Sequence, residues 1–167
     1  SNHLNNPMDA GFDFMTTTTH KSMRGPRGGL ILTKKIHSKK IDSSIFPGLQ
    51  GGPHMNQVAA TAVTMKKVAS DEFEKYALNV LKNAKKLAKT LLDEGFKIVT
   101  GGTENHLIVI NTIDSVGIDG KASEEILDSV GITTNKQVVP DDPNPPLKPS
   151  GIRLGTPAIT ARGMKEE

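Results

Sequence analysis

The sequence predicts an α/β chain in which a long helix separates two groups of strands and helices. Short β-branched or apolar runs, Thr16–Thr19, Leu30–Leu32 and Leu107–Ile110, have the length and composition of strands. Apolar residues recur at helical spacing from Met55 to Val63 and again from Phe73 to Leu91. Gly and Pro clusters punctuate the chain between these segments. At 167 residues, 35% of them apolar and 23% charged, the chain can bury a core and differs from a disordered sequence.

Taken in order, residues 1–13 read as a loop, with Asn5-Asn6-Pro7 and Asp9-Ala10-Gly11 as turn signals. Phe12, Phe14 and Met15 lead into the threonine strand, and Leu30-Ile31-Leu32 forms the next. Residues 34–44 are polar and basic, a short exposed turn or helix. Phe46 to Pro53 packs three glycines and two prolines into eight residues and must be a loop. A helix begins at Met55. Ser70 is a plausible N-cap for a second helix with Asp71 and Glu72 in its first turn, and Gly95 ends it. Its apolar stripe is Phe73, Ala77, Val80, Leu81, Ala84, Leu87, Ala88 and Leu91, with lysines on the solvated face. Phe96–Thr100, Leu107–Ile110 and Ile132–Thr134 read as strands, and Lys121–Val130 as a helix stopped by Gly131. Half of the ten prolines lie in 140–149, a stiff extended loop. Ser150 to Pro157 is a strand running into a turn, and Pro157 suits the first turn of a helix holding Arg162, with no visible stop signal.

Several function classes are disfavoured. There is no cysteine, which removes disulfides, cysteine zinc sites and thiol catalysis and is compatible with the reducing cytoplasm expected here. No apolar run approaches ~20 residues, so no membrane span is expected, and Ser1 to Pro7 carries no signal-peptide apolar core. His3, His37 and His54 have no metal-binding spacing, and no metal site is expected. The net charge is +3, but aromatic residues are only 4% and Trp is absent, so stacking platforms for single-stranded nucleic acid are lacking. All four arginines, Arg24, Arg27, Arg153 and Arg162, sit in two Gly/Pro-containing segments, whereas the long helices use lysine. Arginine is the residue of choice for gripping a carboxylate or phosphate with a planar fork. The segregation points to small-anion recognition rather than to nucleic acid.

The centre of the chain's chemistry is Thr16-Thr17-Thr18-Thr19-His20-Lys21, followed by Arg24-Gly25-Pro26-Arg27-Gly28-Gly29. A hydroxyl-rich strand end opens onto a positive, donor-rich loop in which Lys21 lies between two strands. That arrangement suits a lysine that binds an aldehyde covalently near an anion; a solvated basic hairpin is the plainer alternative. Gly51-Gly52 directly before a helix offers N–H groups and the positive end of its dipole to an anion. By the strand period of two, Arg153 faces away from Ile152 and Leu154, beside Gly151, which would leave room for a ligand.

These stretches resemble the motifs of serine hydroxymethyltransferase, a pyridoxal-phosphate (PLP) family of the aspartate-aminotransferase fold. The threonine–lysine–arginine stretch is similar to the family's lysine motif. Phe46-Pro47-Gly48-Leu49-Gln50-Gly51-Gly52-Pro53, Gly101-Gly102-Thr103-Glu104-Asn105-His106, and Ser150–Thr160 with Ala161-Arg162-Gly163 resemble its later motifs in the same order. The resemblance implies an enzyme interconverting serine plus tetrahydrofolate and glycine plus 5,10-methylenetetrahydrofolate. It implies that Lys21 forms the Schiff base with PLP, that Thr18 and His20 flank it, and that Arg27 frames the site. Thr18 matches a threonine that assists exchange of lysine for the substrate amine; His20 serves equally well as a structural residue orienting the loop. Gly51 and Gly52 would meet the phosphate of the neighbouring subunit in a homodimer or dimer of dimers. Arg153, supported by Arg162, would grip the substrate carboxylate, and Phe46, Gln137, Pro145, Pro146 and Leu147 would lie on the folate side. Gln137 stands where the family usually has Asn.

The resemblance also sets domain expectations. Residues 1–75 would be the C-terminal part of the PLP-binding large domain, a mixed sheet with helices; 76–95 a linking helix; and 96–167 a smaller α+β C-terminal domain, incomplete at its end. The acid that pairs with the pyridine nitrogen, the ring-stacking His and the catalytic Glu and Tyr have no counterpart in residues 1–20. The chain is therefore expected to match the central to C-terminal part of the family and not to turn over by itself. Without those groups, Leu30–Leu32 and the helix from Met55 are also expected to lack a covering layer. The alternative is a catalytically incompetent fragment that binds no cofactor.

Overall fold

The computed structural model describes residues 6–166, so His3 and the outermost ends of the loop and small-domain readings lie outside the described residues. The chain divides into two units, Ser1–Lys75 and Tyr76–Glu167.

In the first unit, β1 (Phe14–Thr18) and β2 (Gly29–Thr33) pair antiparallel, with Phe14 opposite Thr33 and Thr18 opposite Gly29. The threonine run thus forms a strand, and the lysine loop is the connection between its two strands. A short exposed helix, α1 (Ser38–Ser43), follows. Ser44–Leu49 is an irregular turn, because Phe46 and Pro47 leave helical geometry and Pro47 has no N–H to donate. Helix α2 spans Met55–Val68. Its apolar stripe stays exposed, with Met55 at 66%, Val58 at 49% and Val63 at 57%, and so do Ile31 and Leu32 of β2. The one buried residue of α2 is Thr64, whose hydroxyl donates to the Ala60 carbonyl.

Helix α3 runs from Asp71 to Asp93. The Ser70 hydroxyl accepts the Phe73 N–H at 3.3 Å, the predicted cap. Gly95 closes the helix in the left-handed region (φ 87°), with the Phe96 N–H returning to the Leu91 carbonyl.

The second unit is built on a four-stranded antiparallel sheet of order β3-β4-β6-β5, namely β3 (Lys97–Ile98), β4 (Leu107–Asn111), β5 (Asn135–Gln137) and β6 (Gly151–Gly155). Ile110 pairs with Ile152 and Ile108 with Leu154, so these four share one face. That face, with Ile98, packs on Ala88, Leu87 and Leu91 of the α3 stripe and on Phe96 and Leu127. Two short helices, α4 (Thr112–Val116) and α5 (Gly120–Ser129), start on side-chain caps from Asn111 and Asp119. Helix α6 spans Pro157–Ala161 with Pro157 in its first turn.

Three local readings change. The strand expected at Ile132–Thr134 is displaced to Asn135–Gln137, because Gly131 (φ 79°) and Ile132 are used to close α5, the Ile132 N–H bonding the Leu127 carbonyl. The strand at Phe96–Thr100 shrinks to Lys97–Ile98 because the chain turns at once through Val99–Gly101, with Thr100 at φ 63°. Arg162 lies just past the end of α6 rather than inside it. Gly163, at φ 92°, is the stop signal, and the Gly163 and Met164 N–H groups return to Thr160 and Ile159.

Gly151 occupies a crowded place. A Cβ there would lie 2.5 Å from the Ile110 carbonyl oxygen and 2.8 Å from Val139 Cγ1. The room that Gly151 itself leaves is thus filled by Ile110, Gln137 and Val139. Gly151→Ala is expected to lower stability by about 1–3 kcal/mol through overpacking. Thermal melting against the parent protein checks this, and an unchanged midpoint would show that the strands can part at no cost.

Candidate functional site

The loop between β1 and β2 is held shut by Thr19, which is 1% exposed. Its hydroxyl donates to the Pro26 carbonyl at 2.6 Å and its N–H to the Gly28 carbonyl at 3.1 Å, while its own carbonyl accepts the Gly25 N–H at 2.8 Å. One residue therefore ties both arms of the loop together. Gly25 packs so closely on α2 that a Cβ would come within 2.7 Å of the Thr64 side chain. Within this frame the Arg24 N–H bonds the Lys21 carbonyl at 2.8 Å, a tight turn with Arg24 in the left-handed region (φ 58°). Lys21 stands at the head of that turn, exposed, and among the described residues no hydrogen bond or ion pair holds its ammonium.

Next to it, His20 is half-buried and its Nδ1 accepts the Gly28 N–H at 3.3 Å. That bond commits the Nδ1 lone pair to the loop and leaves Nε2 as the nitrogen that carries the ring proton in the neutral form. Thr18 ends β1, half-buried, opposite Gly29. Arg27 is exposed on the returning arm. Arg24 instead stacks over the Phe73 ring, 5.8 Å from its centroid. Both line a concavity of about 410 Å³ with Met23, Val63, Thr64, Lys67, Ser70 and Glu72. That hollow is bordered by none of the residues predicted for the site.

Gly51 and Gly52 lie in open backbone just before α2. A Cβ on either would meet nothing within 4 Å, and neither has a left-handed φ. Their N–H groups reach no backbone carbonyl among the described residues. Neither local strain nor crowding in this chain requires glycine at these positions. Phe46, in the turn upstream, is 64% exposed.

In the second unit, strand register collects a different set. Arg153 lies opposite Val109 on one side and Asn135 on the other, and Gln137 lies opposite Gly151. Arg153 and Gln137 therefore share the sheet face that points away from the core. Arg153 is exposed, as its alternation with buried Ile152 demands. His106, just before β4, is pulled below the ordinary imidazole range first by burial and then by the Arg153 charge. Its carbonyl accepts the Thr156 N–H at 3.1 Å. Pro145, Pro146 and Leu147 project from the loop between β5 and β6, all exposed, Leu147 at 77%.

Arg162 is exposed and caps the end of α6. Its segment is anchored by α3: the Asn83 amide donates to Thr160 Oγ1 at 2.8 Å and to the Met164 carbonyl at 3.0 Å. The fully buried Thr156 hydroxyl donates to the Val80 carbonyl at 2.8 Å, and the Tyr76 hydroxyl to the Pro157 carbonyl at 3.2 Å. Tyr76, Val80 and Asn83 follow helical spacing, so a polar line runs through the apolar stripe. The signal was present in the sequence: a Tyr and an Asn lie in register with the stripe, where a purely packing face would be aliphatic.

The family model for serine hydroxymethyltransferase matches residues 1–167, the whole chain. The chain belongs to the serine hydroxymethyltransferase family. This is a family of PLP-dependent transferases of one-carbon metabolism that use tetrahydrofolate and small-molecule substrates. The α/β fold expected from the resemblance agrees with the observed helices and small sheets. The groups present fit the family's cofactor in chemical kind. Lys21 is an accessible primary amine on a tied-down loop, suited to an aldehyde, and the Gly51–Gly52 N–H groups suit a phosphate. Among the described residues no helix is long and apolar enough to cross a membrane.

Proposed function

We propose that this chain supplies the lysine side and the amino-acid carboxylate side of an enzyme that interconverts serine plus tetrahydrofolate and glycine plus 5,10-methylenetetrahydrofolate. The observation that carries the reading is the exposed Lys21 amine on a loop locked by the buried Thr19. A nucleophile gains from being held still, because less motion has to be frozen when it meets its target. When bound, PLP supplies an electron sink for charge left at the amino acid Cα. Lys21 anchors the cofactor covalently, and Thr18 assists exchange of that lysine for the substrate amine. His20 keeps the loop closed through Nδ1, and Arg27 adds positive charge at the mouth. Gly51 and Gly52 donate N–H groups to the phosphate of a neighbouring subunit, a homodimer or dimer of dimers being the assembly this requires. Arg153 forks onto the substrate carboxylate, with Arg162 supporting that end. Phe46, Gln137, Pro145, Pro146 and Leu147 contact the folate, and the added methylene of Gln137 relative to Asn reshapes that contact. Residues 1–75 then belong to the large PLP-binding domain, 76–95 to a linking helix and 96–167 to the small domain. The cytoplasm is the compartment.

The test is reductive trapping. Loading the protein with PLP, reducing with borohydride and mapping the peptides should place the label on Lys21. Label on another lysine, or a protein that takes up no PLP, overturns the reading. Gly52→Val supplies a second arm. Since a Cβ at Gly52 meets nothing in this chain, the variant should keep its fold and its N–H, but the added side chain should keep the phosphate from approaching it and lower PLP affinity by about tenfold or more, the size of one charge-assisted hydrogen bond. Unchanged PLP affinity would remove Gly52 from the phosphate site.

A further inference from the structure

The loop 140–149 departs from Val139 just after β5 and returns at Ser150 just before β6. A single carboxylate joins its two ends. Asp142 Oδ2 accepts the Val139 N–H at 3.2 Å and the Ser150 N–H at 2.9 Å. Its Oδ1 accepts the Asn144 N–H at 3.0 Å and the Ser150 hydroxyl at 2.7 Å. The Asn144 amide closes the ring by donating to the Ser150 hydroxyl at 2.8 Å. Below this knot the Ser150 carbonyl accepts the N–H and the hydroxyl of Thr112 at 2.9 and 3.1 Å, so the knot is rooted in the packed sheet layer. Ser150 is 3% exposed. The hydroxyl and N–H of Ser150, more than the remaining donors, hold the Asp142 carboxyl well below the usual carboxylate range, so it stays charged at neutral pH.

We propose that Asp142 is a positioning residue that sets the amino-acid and folate contacts of the second unit together, by fixing the start of the Arg153 strand and the base of the Pro145–Leu147 loop with one side chain. This rests on the proposed roles of Arg153 and of the loop. The knot lies next to three elements: β5 with Gln137, which ends two residues before Val139, the loop with Pro145, Pro146 and Leu147, and β6 with Arg153, which starts directly after Ser150. The prolines stiffen the loop between its ends but do not choose where the ends go; the carboxylate does. Two oxygens accepting four donors form a rigid fork, and no neutral side chain of the same shape can accept all four. The side chain itself contacts neither ligand in this scheme. Its loss tilts both contact sets.

Asp142→Asn in the PLP-loaded enzyme that carries this chain is the test. The amide replaces one acceptor oxygen by a donor that faces N–H or O–H groups, so at least two of the four bonds are lost. Ser150→Ala, which removes only the hydroxyl leg, is the milder companion. Glycine and tetrahydrofolate affinities are titrated separately, alongside PLP content and melting temperature. In Asp142→Asn both affinities should fall about tenfold, with PLP content retained and kcat changed much less than the two KM values. Ser150→Ala should shift both affinities in the same direction by less. Unchanged affinities, or a loss confined to one ligand, would overturn the coupling. A fall in melting temperature and PLP content with unchanged affinities would make Asp142 a purely structural residue. If the parent protein bound neither ligand, the functional reading itself would fail and this inference with it, an outcome visible before any variant is made.

Discussion

Lys21→Arg leaves a protein that folds and keeps its positive loop but no longer carries PLP covalently. Arginine retains the charge at that position and is not a nucleophile at any accessible pH, so the substitution separates reactivity from electrostatics. The labelled peptide obtained by borohydride trapping should disappear, and turnover in the PLP-loaded enzyme should fall by at least about 10²-fold. The fold should not notice, because the side chain is exposed and the turn is held by the Lys21 carbonyl and by Thr19 rather than by the ammonium. Peptide mapping and thermal melting together read both halves. Retained label at another lysine would mean that the anchor lies elsewhere. A large drop in melting temperature with the label retained would mean that Lys21 is structural.

Arg153→Ala should cost about 3–5 kcal/mol in amino-acid binding, roughly two to four decades, by leaving the substrate carboxylate unpaired. Arg153→Lys keeps the charge and loses the two-pronged geometry, and should recover only part of that loss. PLP retention should change little, since the anchor and the glycine pair lie in the other unit. The competing view makes Arg153 a structural ion-pair residue. Its exposure and its position on the face opposite the Ile108–Ile110–Ile152 core speak against that, because removing it uncovers no buried charge. Titrating glycine and serine into the Ala variant decides the matter. Near-normal affinity with a lowered melting temperature would assign Arg153 to stability and move the carboxylate site elsewhere.

Local chemistry written into a few residues was readable without any structure. Ser70 as a cap, Gly95 as a stop, the α3 stripe and the alternation that sends Arg153 away from Ile152 all depend on neighbours within four residues, so composition and spacing suffice. The stop at Gly163 is equally local, but the helical pattern alone runs on through Arg162, whereas the left-handed Gly163 ends the helix before it. The misplaced strand at Ile132–Thr134 has the same kind of cause. β-Branched composition favours a strand, but Val130, Gly131 and Ile132 are needed to close α5.

The sequence by itself determined the family, the two long helices and the strands around the threonine run, Leu107–Ile110 and Arg153, and which side chains have the chemistry to act: one loop lysine, paired glycines and segregated arginines. These follow from residue identity and short-range pattern. Only the tertiary structure decided which residues hold those groups in place. Thr19 is one of four identical neighbours until its hydroxyl is found on Pro26 and its backbone on Gly25 and Gly28. Asn83 and Tyr76 are polar members of a stripe until they are found on the α6 segment, 77 and 81 residues away along the chain. Gly151 is a permissive residue in the sequence and an obligatory one between β4 and β5. Asp142 is one of two adjacent aspartates in a proline-rich loop, and only the folded chain brings Val139, Asn144 and Ser150 to its two oxygens. For the polar residues the physical reason is shared: residue type tells what a side chain can donate or accept, whereas the folded backbone chooses the partner and, by burying the pair, makes an unpaired group costly. For Gly151 the reason is steric, the close approach of Ile110 and Val139.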